Sequence, residues 1–454
     1  MNNKKPLRTA SIVGDTRTVR LASGKNARIT MLNNAATTPP FKTTLKAVNS
    51  FSEMYGTFHR GAGPRASATY TEARDAIKTI KEFIGLPKGS EIVFTQNTSN
   101  AINLLVRLLQ LTKKDIILTS ELEHTSNNLP WLYNSHARIV RARAENNGKL
   151  NYNDLEQKAK KYKGRIRVVA LTGASNMTGY VPDIPRLSRI AHSVNALLCI
   201  DAAQLAPHKQ ISMSQQGIDI LAFSAHKIYA PFGLGVLALP RSILDQIPVD
   251  AGGGSIDMIS TTSVVWAPTS LRHQTGTWNV MGIVAAAASC RTLMDIGWDV
   301  IESHEHKLIA HASRRLPEVQ GLVTPIPLDM FVKERRVGIL VFNLPGYHHA
   351  LLSAILEHEY GIETRAGTIC NHMLVRRWMN VSNKEQRSIE RKISSGNRLA
   401  SYGIVRASIG IHNTKKDIDI LVEALKEIQK NGPKYTYRPV PKEEIYLPIH
   451  NVKI

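Results

Sequence analysis

Lys227 follows the apolar stretch Ile220 to Phe223 and the pair Ser224 and His226. An amine at the end of a buried strand either pairs with a carboxylate or is kept reactive by its surroundings. Asp201 ends a second apolar stretch, "ALLCID", and a buried carboxylate needs a cation. The two could pair with each other. Thr98 and Ser99 follow "EIVFT" and open the helical pattern "AINLLVRLL". Their hydroxyls and free N–H groups serve either as plain helix caps or as a phosphate cradle. His124 follows "DIILTS", Asn176 follows "RVVALTG", and Gln204 follows Asp201. A lone histidine at such a place is either structural or chemical. A lysine, a carboxylate, an imidazole, amides and hydroxyls therefore all fall just past strands.

The strands that position them are short apolar runs. They are 91–95, 115–120, 137–142, 167–173, 196–202, 220–225 and 235–240. Helical patterns such as "NAINLLVRLLQ" and "DIPRLSRIAHSV" lie between many of them. That alternation predicts an α/β fold with a mostly parallel seven-stranded sheet. In such sheets ligands bind beyond the carboxyl ends of the strands. After about residue 300 the pattern changes to fewer strands and longer helices, including "KKDIDILVEALKEIQ". We expect an arm over residues 1–45, a large domain over 46–300 and a smaller α+β domain over 301–454.

The bulk numbers narrow the function classes. The chain has 454 residues, 43% hydrophobic and 21% charged, as globular domains have. No run of 18 apolar residues predicts a membrane span. The start is basic and without an apolar core, either a transit peptide or a basic tail. Three scattered cysteines, Cys199, Cys290 and Cys370, suit neither a disulfide framework nor a metal site. A reducing, cytoplasmic setting is expected, with any important cysteine a free thiol. Net charge is +22, but "KAKKYKGRIR" is the one tight basic cluster and no nucleic-acid motif accompanies it. Nucleic acid is not the expected partner.

One small molecule uses all the strand-end groups together: pyridoxal 5'-phosphate. Its aldehyde takes the lysine and its phosphate takes the helix N-terminus. Its protonated ring nitrogen makes a buried carboxylate tolerable, and the carboxylate keeps that nitrogen protonated.

This constellation resembles fold-type I pyridoxal-phosphate enzymes of the class-V aminotransferase superfamily. Within it the chain is most similar to the group II cysteine desulfurases and selenocysteine lyases. The motifs are Asn34-Ala35-Ala36-Thr37, "HRG" (59–61), "EIVFT", "EH" with Asn127, "SN" with Gly179, "DAAQ", "SAHK", and "RAS" followed by "NT". The resemblance implies that Lys227 holds the cofactor as a Schiff base and Asp201 pairs with its ring nitrogen. It implies that His124 stacks on the ring and that Gln204 and Asn176 meet the ring's 3-oxygen. Thr98, Ser99, Ser224 and His226 would hold the phosphate. Thr277, in "GTWN", would reach a phosphate across a homodimer interface. Arg406 would clamp the substrate's carboxylate, and a loop thiol, Cys370, would take the sulfur as a persulfide and leave alanine. A protein that accepts the sulfur is then an expected partner.

The chain departs from that branch in three places. Thr368 and Ile369 stand where two histidines usually precede the loop cysteine, and Thr125 stands where a second histidine often follows His124. A charged, helical segment lengthens the path from Cys370 to Arg406. These leave open another class-V reaction on an amino acid: transamination, isopenicillin-epimerase-like chemistry or a different C–S cleavage.

Overall fold

The computed structural model describes residues 11–58 and 60–453. His59, part of the "HRG" stretch, and the first ten residues lie outside the described residues.

Seven strands form the central sheet: β1 (Ser90–Thr95), β2 (Ile116–Ser120), β3 (Arg138–Ala142), β4 (Ile166–Thr172), β5 (Leu197–Asp201), β6 (Ile220–Ser224) and β7 (Gly235–Pro240). Their order is β1-β7-β6-β5-β4-β2-β3. Only β7 runs antiparallel to its neighbours β1 and β6. Every residue of β2 and β6 is buried, as expected for parallel strands covered by helices on both faces. The predicted mostly parallel seven-stranded sheet is therefore present.

Helices α1 (Lys42–Ser52) and α2 (Pro64–Phe83) pack against the long apolar helix α4 (Val280–Ile296), while α3 (Thr98–Leu109) follows β1. Asn279 caps α4 by accepting from the Gly282 N–H, and Gly297 ends it at φ +89. Among the described residues no single helix is long and apolar enough to cross a membrane.

A second sheet holds β8 (Ile339–Phe342), β9 (Arg365–Gly367) and β10 (Ile404–Ser408), with β10 in the middle and all pairs antiparallel. The segment between β9 and β10 carries two helices, His372–Trp378 and Asn383–Ser394. A hairpin of Tyr435–Val440 with Ile445–Lys453 follows the last helix, Lys415–Asn431.

The Asn34-Ala35-Ala36-Thr37 motif joins the two sheets. Asn34 Nδ2 donates to the Ser408 carbonyl at 3.0 Å, and the Ala35 N–H donates to Ser408 Oγ at 2.9 Å. Just beyond it, Thr38 donates to the His226 carbonyl through both its N–H and its hydroxyl. Its neighbours thus fix the loop carrying Lys227 relative to β10, which carries Arg406.

The basic run 158–167 has local work. Lys158 pairs with Asp154 at 2.6 Å and Arg167 with Asp115 at 2.8 Å, while Lys161 lies over the Tyr162 ring. Lys158, Lys160 and Lys161 also sit in the last turn of their helix, where its dipole favours cations.

Candidate active site

The carboxyl ends of the strands surround a cavity of about 280 Å³. Thr98, Ser99, His124, Asn176, Asp201, Gln204, Ser224, His226 and Lys227 all line it. These residues are spread over 130 positions of sequence, and strand order brings them together.

One end of the cavity is a cluster of hydroxyls at the start of α3. The Thr98 N–H donates to Ser224 Oγ at 2.8 Å, and the two hydroxyls lie 2.7 Å apart. Asn97 caps α3 by accepting from the Asn100 N–H at 3.0 Å. Asn97 is thus the cap, and the hydroxyls of Thr98 and Ser99 are not used for capping. Gly235, at the start of β7, permits this packing. A Cβ there would come within 2.5 Å of the Asn97 backbone.

Ser99 Oγ lies 2.7 Å from Ser126 Oγ, which lies 2.9 Å from His124 Nδ1. The Ser126 N–H also donates to that Nδ1 at 3.1 Å. An Nδ1 that accepts leaves the imidazole's proton on Nε2. Burial, with the nearby charges of Lys227 and Arg406, pushes His124 down to about 3, so the ring is neutral. A flat, neutral, apolar-faced ring suits stacking on an aromatic ligand. Ser126 was not among the residues picked out from the sequence. Its signal was its place two residues past His124.

Lys227 is pushed down to about 8 by burial, against the pull of Asp201. About a tenth of its amine is then neutral and nucleophilic at pH 7, far more than for an ordinary lysine. Burial also raises Asp201, whose Oδ1 accepts from the Ala203 N–H at 3.0 Å. Near it sits Glu123, pushed up to about 8 by burial. Ser120 Oγ lies 2.5 Å from one Glu123 oxygen and Asn127 Nδ2 lies 2.6 Å from the other. Trp131 Nε1 holds Asn127 in turn at 2.9 Å. Glu123 is a buried acid that sequence reasoning quoted within a motif without giving it a role. His226 is pushed down to about 4 by burial and by Lys227, and its Nδ1 lies 3.1 Å from Thr37 Oγ1. Gln204 Nε2 donates to the Ala35 carbonyl at 2.6 Å.

Three expected residues stand outside the cavity lining. Arg406 is 2% exposed, and its Nη1 donates to the Asn176 carbonyl at 2.8 Å. Its Nε and the Asn176 Oδ1 are buried without a hydrogen-bond partner. Burial, with Arg365 beside it, brings the guanidinium down to about 9. Buried groups of this kind are free to accept or donate to a polar ligand.

Cys370 is exposed, whereas Cys199 and Cys290 are buried. It sits on a turn where Ile369 (φ 47) and Cys370 (φ 60) both adopt left-handed backbone. For non-glycine residues that conformation costs on the order of 1–3 kcal/mol each. Two hydrogen bonds hold the turn there. Asn176 Nδ2 donates to the Ile369 carbonyl at 2.8 Å, and the Thr125 N–H donates to the Cys370 carbonyl at 3.0 Å. One donor, Asn176, lines the cavity, and the other, Thr125, follows the lining residue His124. Thr277 lies elsewhere, in a separate cleft with Gln274, Trp278 and Asn279.

The class-V aminotransferase family model matches residues 30–421. The chain belongs to the class-V aminotransferase family. It is an enzyme of that family, and the match spans both sheets. A probable cysteine desulfurase of Halalkalibacterium halodurans is 30% identical over 410 residues, covering 88% of this chain and 93% of that protein. One of Staphylococcus aureus is 29% identical over 413 residues, covering 89% and 92%. Among solved structures, the apo cysteine desulfurase of Thermococcus onnurineus superposes with a TM-score of 0.77 at 27% identity, covering 88% of this chain and 95% of that one. The S-sulfonic acid form of a cysteine desulfurase from Escherichia coli gives 0.73 at 26%, covering 88% and 94%.

Proposed function

We propose that this family member is a pyridoxal-phosphate-dependent cysteine desulfurase, cleaving the C–S bond of L-cysteine or the C–Se bond of selenocysteine. The observation that carries the reading is the single cavity that joins Lys227, Asp201 and the neutral ring of His124 to the hydroxyls at the start of α3. The residues present fit the cofactor. Asn176 Oδ1 is buried and unpartnered at the cavity, and the amine of Lys227 is held partly neutral beside a buried carboxylate.

In this reading Thr98, Ser99, Ser224 and His226 would hold the phosphate, and Lys227 Nζ would be the covalent attachment point. His124 would cover the ring, Asp201 would take its nitrogen, and Asn176 and Gln204 would hold its 3-oxygen. Bound there, pyridoxal phosphate supplies an electron sink for bonds broken around the substrate's α-carbon. Arg406 binds the substrate's α-carboxylate through its planar fork. Lys227 Nζ would carry protons to and from the substrate's α-carbon.

Cys370 Sγ forms a new S–S bond to the substrate sulfur as the C–S bond breaks. The bonding pair stays with the substrate carbon, which is protonated and leaves as alanine. The persulfide on Cys370 is exposed to solvent, which supports a protein or reductant as the next sulfur acceptor. A cytoplasmic setting fits two buried free thiols and an exposed reactive one.

A homodimer belongs to the same proposal. The hairpin of Ile256–Ile259 with Val264–Trp266 leaves Met258 61% and Ile259 66% exposed. Apolar side chains so exposed on a two-stranded ribbon need a covering surface. The segment that follows this hairpin holds Thr277, which would then act in the neighbouring site.

Incubation of cofactor-loaded protein with L-cysteine and a reductant tests the reading. Alanine and sulfide in equal amounts are expected. A colourless protein that ignores added cofactor, or one that gives keto acid without sulfide, overturns it. Another class-V reaction on an amino acid is the second reading. Its support is the placement of Cys370 outside the cavity lining.

A further inference from the structure

The path from Cys370 to Arg406 is long enough to carry the thiol on a swinging arm. Its two helices are held very differently. Asn383–Ser394 buries none of its residues. His372–Trp378 buries Leu374 and Val375, and both of its ends are bonded to the large domain.

At the start of that helix, buried Asn371 serves two purposes. Its Oδ1 caps the helix by accepting from the Leu374 N–H at 3.3 Å. Its Nδ2 donates to the Leu122 carbonyl at 3.0 Å. One residue earlier, the Cys370 carbonyl accepts from the Thr125 N–H. At the far end, Arg377 Nη1 donates to Glu121 Oε2 at 2.7 Å, and Nη2 donates to the Glu145 carbonyl at 3.2 Å. Trp378 Nε1 donates to the Asn146 carbonyl at 3.1 Å.

The partners run in reverse order along the chain. Cys370, Asn371 and Arg377 meet Thr125, Leu122 and Glu121, and the segment 121–125 is the loop that carries His124. Glu121 is itself fixed. Its Oε2 also accepts from the Ala144 N–H at 2.9 Å, and its N–H donates to the Ala142 carbonyl at 3.0 Å. The helix thus lies across the loops that follow β2 and β3.

We propose that Arg377 and Trp378 are positioning residues for Cys370: they clamp the helix His372–Trp378 across those two loops, so that the thiol's turn and His124 form one fixed unit. This rests on the reading of Cys370 as the sulfur-accepting thiol. Bonds at Cys370 and Asn371 alone would leave the helix a hinge at its first residue. Arg377 and Trp378 pin it about 10 Å further along its axis. A turn with two left-handed non-glycine residues persists only where its surroundings hold it. Attack on the substrate sulfur needs the thiol in one place, so a loose turn lowers the rate and not the affinity. The Arg377–Glu121 pair is partly exposed on both sides, with 34% and 29% of the two side chains accessible. Such a pair adds little to global stability, so its loss should act on the turn and leave the fold intact.

The test compares Arg377→Ala, Arg377→Lys and Trp378→Phe in the cofactor-loaded, full-length protein. Hydrogen exchange reads the clamp without any turnover. We expect the amides of 121–127 and 366–378 to exchange about 10-fold faster in Arg377→Ala, with the rest of the chain unchanged. Single-turnover persulfide formation from L-cysteine should slow about 10-fold, with KM and the visible spectrum unchanged. Arg377→Lys can still reach Glu121 and should recover most of both losses. Selenocysteine cleavage should stay near the wild-type rate, whereas general damage to the site would lower it as much as cysteine cleavage. Unchanged exchange, or faster exchange with an unchanged persulfide rate, overturns the proposal. Equal losses on the two substrates also overturn it. Should Arg377→Ala fail to fold, Trp378→Phe removes one bond, keeps a ring, and decides by the same measurements. If the wild type forms no persulfide on Cys370, the desulfurase reading has failed, and the exchange data alone decide the clamp.

Discussion

Arg406 Nη1 donates to the backbone carbonyl of Asn176 at 2.8 Å, across 230 residues of sequence. That bond fixes one edge of the guanidinium and leaves its Nε without a partner. The same Asn176 places its amide nitrogen on the Ile369 carbonyl, so one residue ties Arg406 to the Cys370 turn. Arg406→Lys should therefore keep a charge but lose both the anchor and the planar fork. We expect KM for the amino-acid substrate to rise about 10- to 100-fold, or roughly 1.4–2.8 kcal/mol, with cofactor absorbance unchanged. Steady-state kinetics beside a visible spectrum measure both.

Lys227 is the proposed attachment point of the cofactor. Lys227→Ala should abolish any borohydride-stable label and reduce turnover by several orders of magnitude. The wild-type amine titrates at about 8, lowered from its ordinary value by burial. Its reactive form is the neutral one, so capture of added pyridoxal phosphate by cofactor-free protein should speed up as pH rises from 7 to 9 and level off above that. Stopped-flow absorbance at several pH values reads this directly.

Cys370→Ser should leave the fold, the colour and substrate binding intact, because the side chain is exposed. Sulfide release from L-cysteine should fall by at least about 100-fold. Cleavage of selenocysteine should survive better, since selenium departs more readily without thiolate attack. Parallel assays on the two substrates check both statements. Unchanged sulfide release would remove Cys370 from the mechanism.

Glu123 makes stability depend on pH. Burial raises its folded pKa to about 8, well above the ordinary carboxylate value, and Asp201 adds to the rise. The folded protein then holds a proton that the unfolded chain has lost. Its contribution is full below about pH 4.5, is lost as pH climbs toward 8, and is constant above that. Glu123→Gln keeps the shape and removes the titration. Relative to the wild type, the variant should gain on the order of 1–3 kcal/mol between pH 5 and 8. Thermal melts of cofactor-free protein across that range give the comparison, and parallel curves would refute it.

Much of the site could be read before any fold was known. The seven central strands are apolar runs between helical patterns, and each forms where its run predicts. Residues just past such strands must meet at one edge of a parallel sheet, so Lys227, Asp201, His124 and the Thr98–Ser99 pair share a cavity. The α/β class and the family follow from those runs and motifs, because local pattern and short spacing encode them.

What lay beyond local pattern needed tertiary structure. Whether Lys227 and Asp201 neutralise each other depends on how much water reaches them, and burial depends on the whole packed sheet. Glu123 stays protonated because burial, with Asp201 nearby, outweighs its hydrogen bonds to Ser120 and Asn127, an environment that no spacing rule encodes. Cys370 is exposed and held in left-handed backbone by donors from Thr125 and Asn176, 245 and 194 positions away. The approach of Glu444 to Gly367 joins a C-terminal hairpin to the Cys370 turn through contacts between distant segments. The sequence by itself determined which chemical groups the protein has and which strand ends carry them. The tertiary structure decided their charge states and the reach of the thiol, because desolvation and long-range hydrogen bonds exist only once the chain is packed.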